Sequence, residues 1–113
     1  MYERMRMSEY IPDKWVIVDY GQDYIYEDRY SVLAGWRGNF VTSDSWKRSS
    51  PIVKWEVETD KIVATTFSGS KYILVEGSIG VTMLTASLIA QASLTIIDVW
   101  EDVLEIVKGE KNV

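Results

Sequence analysis

The 113-residue sequence contains no cysteine and no histidine. The first absence excludes disulfides, thiolate metal sites and cysteine nucleophiles. The second removes imidazole ligands and the commonest general base. A catalytic base would have to be a carboxylate, a lysine or a tyrosine, and no pair of these is placed by spacing to act as one. A non-enzymatic protein with no cofactor and no metal is therefore expected. Proline is scarce, at Pro12 and Pro51 only, so nothing interrupts regular structure by removing an N–H after residue 51. Residues 1–8 lack the apolar core of a signal peptide, although Met1, Met5 and Met7 offer three candidate starts. The expected compartment is the cytoplasm.

What is present is apolar and aromatic. Hydrophobic residues make up 47% of the chain, too many for a disordered one, and the length fits one domain over 1–113 with a flexible segment at 1–10. Five tryptophans and seven tyrosines supply amphipathic surfaces of the kind that fill cores and binding hot spots. The net charge of −5 is unevenly spread. Residues 1–28 carry three basic and seven acidic side chains, residues 29–71 seven and four, and residues 72–113 two and six. The middle third is thus the expected anion-binding surface, and the acidic ends argue against direct nucleic-acid binding. Asp19, Asp23, Glu27 and Asp28 match no EF-hand spacing and are expected to form a solvated acidic face.

The pattern predicts an α+β domain: an antiparallel sheet of five or six strands over 14–76, followed by one or two C-terminal helices over 79–108. Lys14 to Tyr20 has apolar residues on both strand faces. Tyr30 to Trp36 alternates, and Gly35 to Asn39 suggests a hairpin into Phe40-Val41-Thr42. In Pro51 to Glu58 the alternation sets Val53, Trp55 and Val57 on one face. Turns at Thr59-Asp60 and Ser68-Gly69-Ser70 make residues 51–76 a three-stranded meander. From Leu94 to Lys108 an apolar stripe through Ile97, Trp100, Leu104 and Val107 opposes Asp98, Glu101, Asp102 and Glu105, with Gly109 at the helix end.

Between these lies a run of nineteen uncharged residues, Ile79 to Ile97. It approaches the roughly 20 residues of a membrane span. Thr82, Thr85, Ser87, Gln91, Ser93 and Thr95 dilute it, and no basic cluster flanks it, so no membrane insertion is expected. Read as a helix capped by Ser78, it is apolar or small on every side and needs cover all round. That predicts a homo-oligomer with Met83, Leu84, Ser87, Leu88, Ala90, Gln91 and Leu94 at the interface.

Two segments carry binding chemistry. Gly35 to Ser50 combines Trp36, Phe40 and Trp46 with Arg37, Lys47 and Arg48, and adds Asn39 and small hydroxyl residues. Aromatic faces stack on planar groups, and guanidinium and ammonium groups pair with phosphate. The turn around Ser68, Ser70, Lys71 and Tyr72 has similar chemistry but lacks the Gly-Lys-Ser/Thr ending of a P-loop. Together these ten residues (Trp36, Arg37, Asn39, Trp46, Lys47, Arg48, Ser68, Ser70, Lys71 and Tyr72) form the candidate ligand site. Burial of the tryptophans in the core and a purely turn-forming Ser-Gly-Ser are the competing readings.

The segments Pro12 to Val18, Val32 to Trp36, Ser43 to Trp46 and Ser68-Gly69-Ser70-Lys71-Tyr72 carry a resemblance. The chain is similar over residues 12–80 to small bacteriophage and mobile-element proteins with tryptophan-rich strands and a Ser-Gly-Ser-x-Tyr hairpin. The resemblance implies a phage-type origin and a host-defence antagonist, such as the non-enzymatic oligomers that sequester nucleotide signals; the cytoplasm would then be the host's. The expected function is an oligomeric binding protein for a small anionic, nucleotide-like ligand. The alternatives are a protein inhibitor of anti-CRISPR or anti-restriction type acting through an acidic surface, and a structural assembly protein.

Overall fold

A computed structural model describes residues 8–21, 29–38 and 43–111. Among them the strands are β1 (Glu9–Tyr10), β2 (Lys14–Asp19), β3 (Tyr30–Trp36), β4 (Ser45–Arg48), β5 (Ile52–Val57), β6 (Lys61–Thr66), β7 (Lys71–Val75) and β8 (Ile96–Ile97). The helices are α1 (Met83–Ala92) and α2 (Trp100–Lys111). The α+β class stands, but the strands form two sheets of four, not one of five or six. Sheet I runs β4-β3-β2-β8 and sheet II runs β1-β7-β6-β5. Among the named strands of the described residues the antiparallel pattern has one exception, since β1 lies parallel to β7. Residues 1–7 of the segment expected to be flexible lie outside the described residues, while Glu9 and Tyr10 are in β1.

β2 explains the layering. Trp15, Val16, Ile17 and Val18 are all fully buried, each contributing about 1.5–3 kcal/mol relative to exposure. Successive strand side chains point to opposite faces, so sheet I must be covered twice. Trp15 and Ile17, with Val32 and Ala34 of β3, meet Ile52, Trp55, Ile62, Ala64, Tyr72 and Leu74 of sheet II and Trp100, Val103 and Val107 of α2. Val16, Val18 and Leu33 face the other way, against Ile89 of α1 and Leu94 just beyond its C-terminal end. The Trp15 indole bridges the sheets by donating from Nε1 to the Val75 carbonyl at 2.8 Å. Its ring meets Trp100 edge-on at 6.3 Å.

The chain passes from sheet I to sheet II through residues 49–51. Ser49 Oγ accepts from Val32 N at 2.8 Å, and Pro51, lacking an N–H, closes the link. The expected β5-β6-β7 meander is present. The Thr66–Ser70 turn uses Gly69 at φ 95°, a left-handed position that suits glycine. One detail of β5 departs from strict alternation: a bulge between Ile52 and Lys54 puts Ile52 and Trp55 in the core and leaves Val53 53% exposed. The hairpin strand expected at 40–42 lies outside the described residues; β4 pairs with β3 through Trp36↔Ser45.

The uncharged run is neither one helix nor one element. Ile79 bridges to Trp15, α1 spans ten residues, and Ile96 and Ile97 pair with Val18 and Ile17 as β8. No helix among the described residues is long and apolar enough to cross a membrane. The helix cap is Thr82, not Ser78, which lies in a short 3-10 turn. Thr82 Oγ1 accepts from Thr85 N at 3.2 Å, and Thr85 Oγ1 accepts from Thr82 N at 2.9 Å, a reciprocal capping box. Ser93, left-handed at φ 53°, ends the helix. α2 runs through Gly109 instead of stopping there.

Candidate functional site

Strand alternation divides the expected site. In the β3–β4 register Gly35 lies opposite Trp46 and Leu33 opposite Arg48, while Ala34 lies opposite Lys47. Cross-strand partners share a face, so Trp46 and Arg48 look toward α1 and Lys47 looks the other way. β4 is a sheet edge and its four residues are exposed.

On the α1 side, Trp46 and Arg48 join Leu33, Leu88, Ala92 and Leu94 around a half-open cavity of about 170 Å³. Its shape follows from Gly35. A Cβ there would sit 3.0 Å from Thr82 Cγ2 and 3.1 Å from Thr85 Cγ2, so bare glycine lets the N-terminus of α1 rest on β3. Further along the helix, Leu88 and the small Ala92 stand over Leu33 and leave the gap. The walls are aliphatic apart from the Trp46 indole, 46% exposed, and the Arg48 guanidinium, which lies 5.9 Å from the centre of the Tyr20 ring. The cavity can take one flat apolar group and set an anionic substituent against arginine.

On the opposite face, Trp36, Lys47 and Tyr72 collect around Tyr10. The Tyr10 ring stacks on Tyr72 at 4.9 Å, is tilted against Trp36 at 6.1 Å and lies under the Lys47 ammonium at 5.5 Å. Trp36 Nε1 donates to the Ile11 carbonyl. Burial, with a smaller effect from Tyr10, pushes the Tyr72 hydroxyl up to about 12. Tyr72 is a core residue and presents no surface to a ligand. Here the aromatics hold β1 to the sandwich.

The remaining expected residues lie elsewhere. Arg37 is exposed and its N–H donates to Asp13 Oδ2 at 2.8 Å. Ser68 N donates to Ser50 Oγ, whose hydroxyl donates to Ser68 Oγ. The Ser70 carbonyl accepts from Thr66 N, and Lys71 N donates to the Ser8 carbonyl. These groups build the hairpin and its junction with residues 49–51. Asn39 lies outside the described residues.

Of the residues expected at an oligomer interface, Leu88 and Leu94 line the cavity. Leu84 is half-buried, and Met83, Ser87, Ala90 and Gln91 are exposed along α1. Sequence reasoning missed Leu33, Ala92 and Tyr10 as neighbours of the candidate residues. Leu33 and Ala92 read as ordinary core, and a two-residue strand such as β1 has no periodicity to detect.

The acidic face is partly structural. Arg29 forks onto Asp19 with Nε–Oδ1 2.7 Å and Nη2–Oδ2 3.0 Å, and Gly21 N–H adds a third bond. The Arg29 guanidinium holds the Asp19 carboxyl below its ordinary range, against burial, which pushes the other way. Asp23, Glu27 and Asp28 lie outside the described residues. Among the described residues no cluster of three or more acidic side chains is placed to hold a metal ion. No family model, no curated protein and no solved structure matches this chain.

Proposed function

We propose that this chain is a non-catalytic binding protein whose ligand seats in the β4–α1 cavity. The observation that carries the reading is the meeting of an exposed indole and a guanidinium at one cavity of about 170 Å³ with otherwise aliphatic walls. Typical ligand pockets are about 300–1,000 Å³, so this one takes a single ring and leaves the rest of the molecule outside. The ligand class is a planar ring carrying phosphate or carboxylate, nucleotides included. The ring packs on Trp46 and Leu88, and the anion pairs with Arg48. A host-defence antagonist sequestering such a signal is the biological role proposed, and it rests on the sequence resemblance alone.

Calorimetric titration with linear and cyclic nucleotides, and with simple aromatic carboxylates, tests this. Binding is expected to weaken at least about tenfold in Arg48→Gln, the loss of one charge-assisted contact, and to fail in Trp46→Ala. Lys71→Gln is expected to bind as the wild type does. No heat with any of these ligands at millimolar concentration refutes the proposal.

A second reading has one observation behind it. Asp98, Glu101, Asp102 and Glu105 are all exposed at the start and along the outer side of α2, a surface suited to a basic protein partner. A stoichiometric partner recovered from host lysate, and lost on neutralising these four residues, favours that reading.

A further inference from the structure

β5 is paired with β6 on one side and, among the described residues, with no strand on the other. The register shows which backbone groups are unspent. Glu58 N–H donates to the Lys61 carbonyl at 2.8 Å, and the ladder continues through Glu56↔Val63 and Lys54↔Thr65. Alternate residues of an antiparallel strand turn their N–H and C=O to the same neighbour. Residues 54, 56 and 58 therefore bond to β6, and Trp55 and Val57 turn theirs to the open edge. The Trp55 side chain is buried in the core, so that edge is held rigidly. A row of unpaired groups on a held strand is a template for another strand.

The side chains along this edge are self-complementary. Residues 53–57 read Val-Lys-Trp-Glu-Val, symmetric about Trp55 with opposite charges at the mirrored positions. Lys54 and Glu56 are exposed on one face, 64% and 48%. Val53, left without a β6 partner by the bulge, and Val57 are among the large apolar residues open to solvent.

We propose that β5 pairs antiparallel with β5 of a second copy of this chain, about a twofold axis at Trp55, so that sheet II continues through both copies. In that register Lys54 of each copy lies opposite Glu56 of the other, and Val53 opposite Val57. Moving the axis by one residue sets Glu56 on Glu56 or Lys54 on Lys54, which like-charge repulsion disfavours. Charge thus selects a single register. The inference does not depend on the ligand proposed above, because the β4–α1 cavity lies in the other sheet. The strand is short, so the dimer is concentration-dependent.

Sedimentation equilibrium from micromolar to submillimolar protein tests it. The wild type is expected to shift from monomer to dimer. Lys54→Glu and Glu56→Lys each set like charges face to face at both symmetric positions, and each alone should weaken the dimer by about tenfold or more. Mixed one to one, the two variants restore it, because two acidic positions of one copy then face two basic positions of the other. Both side chains are exposed, and circular dichroism of each variant verifies that it folds. A wild type that stays monomeric throughout the range overturns the proposal. So does a dimer that neither reversal disturbs, or one that Ser87→Arg on α1 dissociates while the charge reversals do not.

Discussion

Replacing Gly35 by alanine adds one methyl group at the tightest junction between sheet I and α1. The new Cβ would lie 3.0 Å from Thr82 Cγ2 and 3.1 Å from both Thr82 Oγ1 and Thr85 Cγ2. Neither threonine can turn away freely. Both are buried, and each hydroxyl accepts a bond from the other's backbone N–H. Relief requires the N-terminus of α1 to lift from β3 or the cap to break. Overpacking of this kind costs about 1–3 kcal/mol. The loss of glycine's freedom in the unfolded chain returns about 0.4–1 kcal/mol. The net expectation is a destabilisation of about 1–2 kcal/mol. With a urea slope of roughly 1.5 kcal/mol/M, the unfolding midpoint falls by about 1 M. Gly77→Ala is the matched control. A Cβ there meets nothing within 4 Å, and its φ is not positive, so the same entropic gain acts unopposed and stability holds or rises. Urea titrations followed by tryptophan fluorescence read both variants. A Gly35→Ala protein as stable as the wild type would show that close seating of Thr82 on β3 does not hold α1 in place.

Two pH dependences follow from ionisable groups in the fold. Arg29 lowers the Asp19 pKa on folding, so the pair's contribution is complete above about pH 4, the unfolded value, and is lost as pH falls through the lower folded value. Asp19→Asn should cost about 1 kcal/mol at neutral pH, this being a partly exposed pair, and the urea midpoints of wild type and variant should converge below pH 4; a constant gap down to pH 2 refutes this. Tyr72 shifts the opposite way, from about 10 when unfolded to about 12. The stability that comes from keeping its phenol neutral is present below pH 10 and is lost as pH rises toward 12. Midpoints measured across that window should move in favour of Tyr72→Phe relative to the wild type, and a difference independent of pH refutes the assignment.

Local pattern made much of this fold legible. The run Trp15 to Val18 announces a strand covered on both faces, the 51–76 meander is set by short turns, and α2 buries Trp100, Val103 and Val107 at helical spacing. Periodicity says which face a side chain takes, not which strand lies beside it. For that reason the division into two sheets, the parallel pairing of β1 and the edge strand β8 were not legible. The bulge at Val53 shows the same limit, since one inserted residue turns an inward position outward. The structure divides the expected site between two faces for a reason that the sequence did contain: Trp46 and Lys47 are adjacent in a strand and cannot share a face. Residues 35–50 accordingly contribute both to the aromatic packing around Tyr10 and to the cavity beside Arg48. The choice between Ser78 and Thr82 as helix cap is different. Both have suitable side chains, but only Thr82 has a hydroxyl residue, Thr85, three positions on to complete the capping box, and the pair seats against the bare Gly35 of β3.

The nineteen uncharged residues bear most directly on assembly. As a single helix they would present apolar or small groups on every side, and a second copy would be needed to cover them. The chain instead divides the run. Ile79 bridges to β2, Ile96 and Ile97 extend sheet I, and only residues 83–92 are helical. Within that helix Thr85 is buried, and Ile89 packs on the Val16, Val18 and Leu33 cluster. Ser87, Ala90 and Gln91 face solvent, with Gln91 Nε2 donating to Ser87 Oγ at 3.3 Å. Small and amide side chains tolerate water, so burial of apolar area no longer requires a partner on α1, and Met83 alone remains a large apolar group fully open there. Unpaired backbone groups are a stronger demand than scattered alanines, because each lost hydrogen bond must be remade with water or with another strand. On that physical ground the edge of β5, with its mirrored lysine and glutamate, is the surface we propose for contact between two copies of this chain.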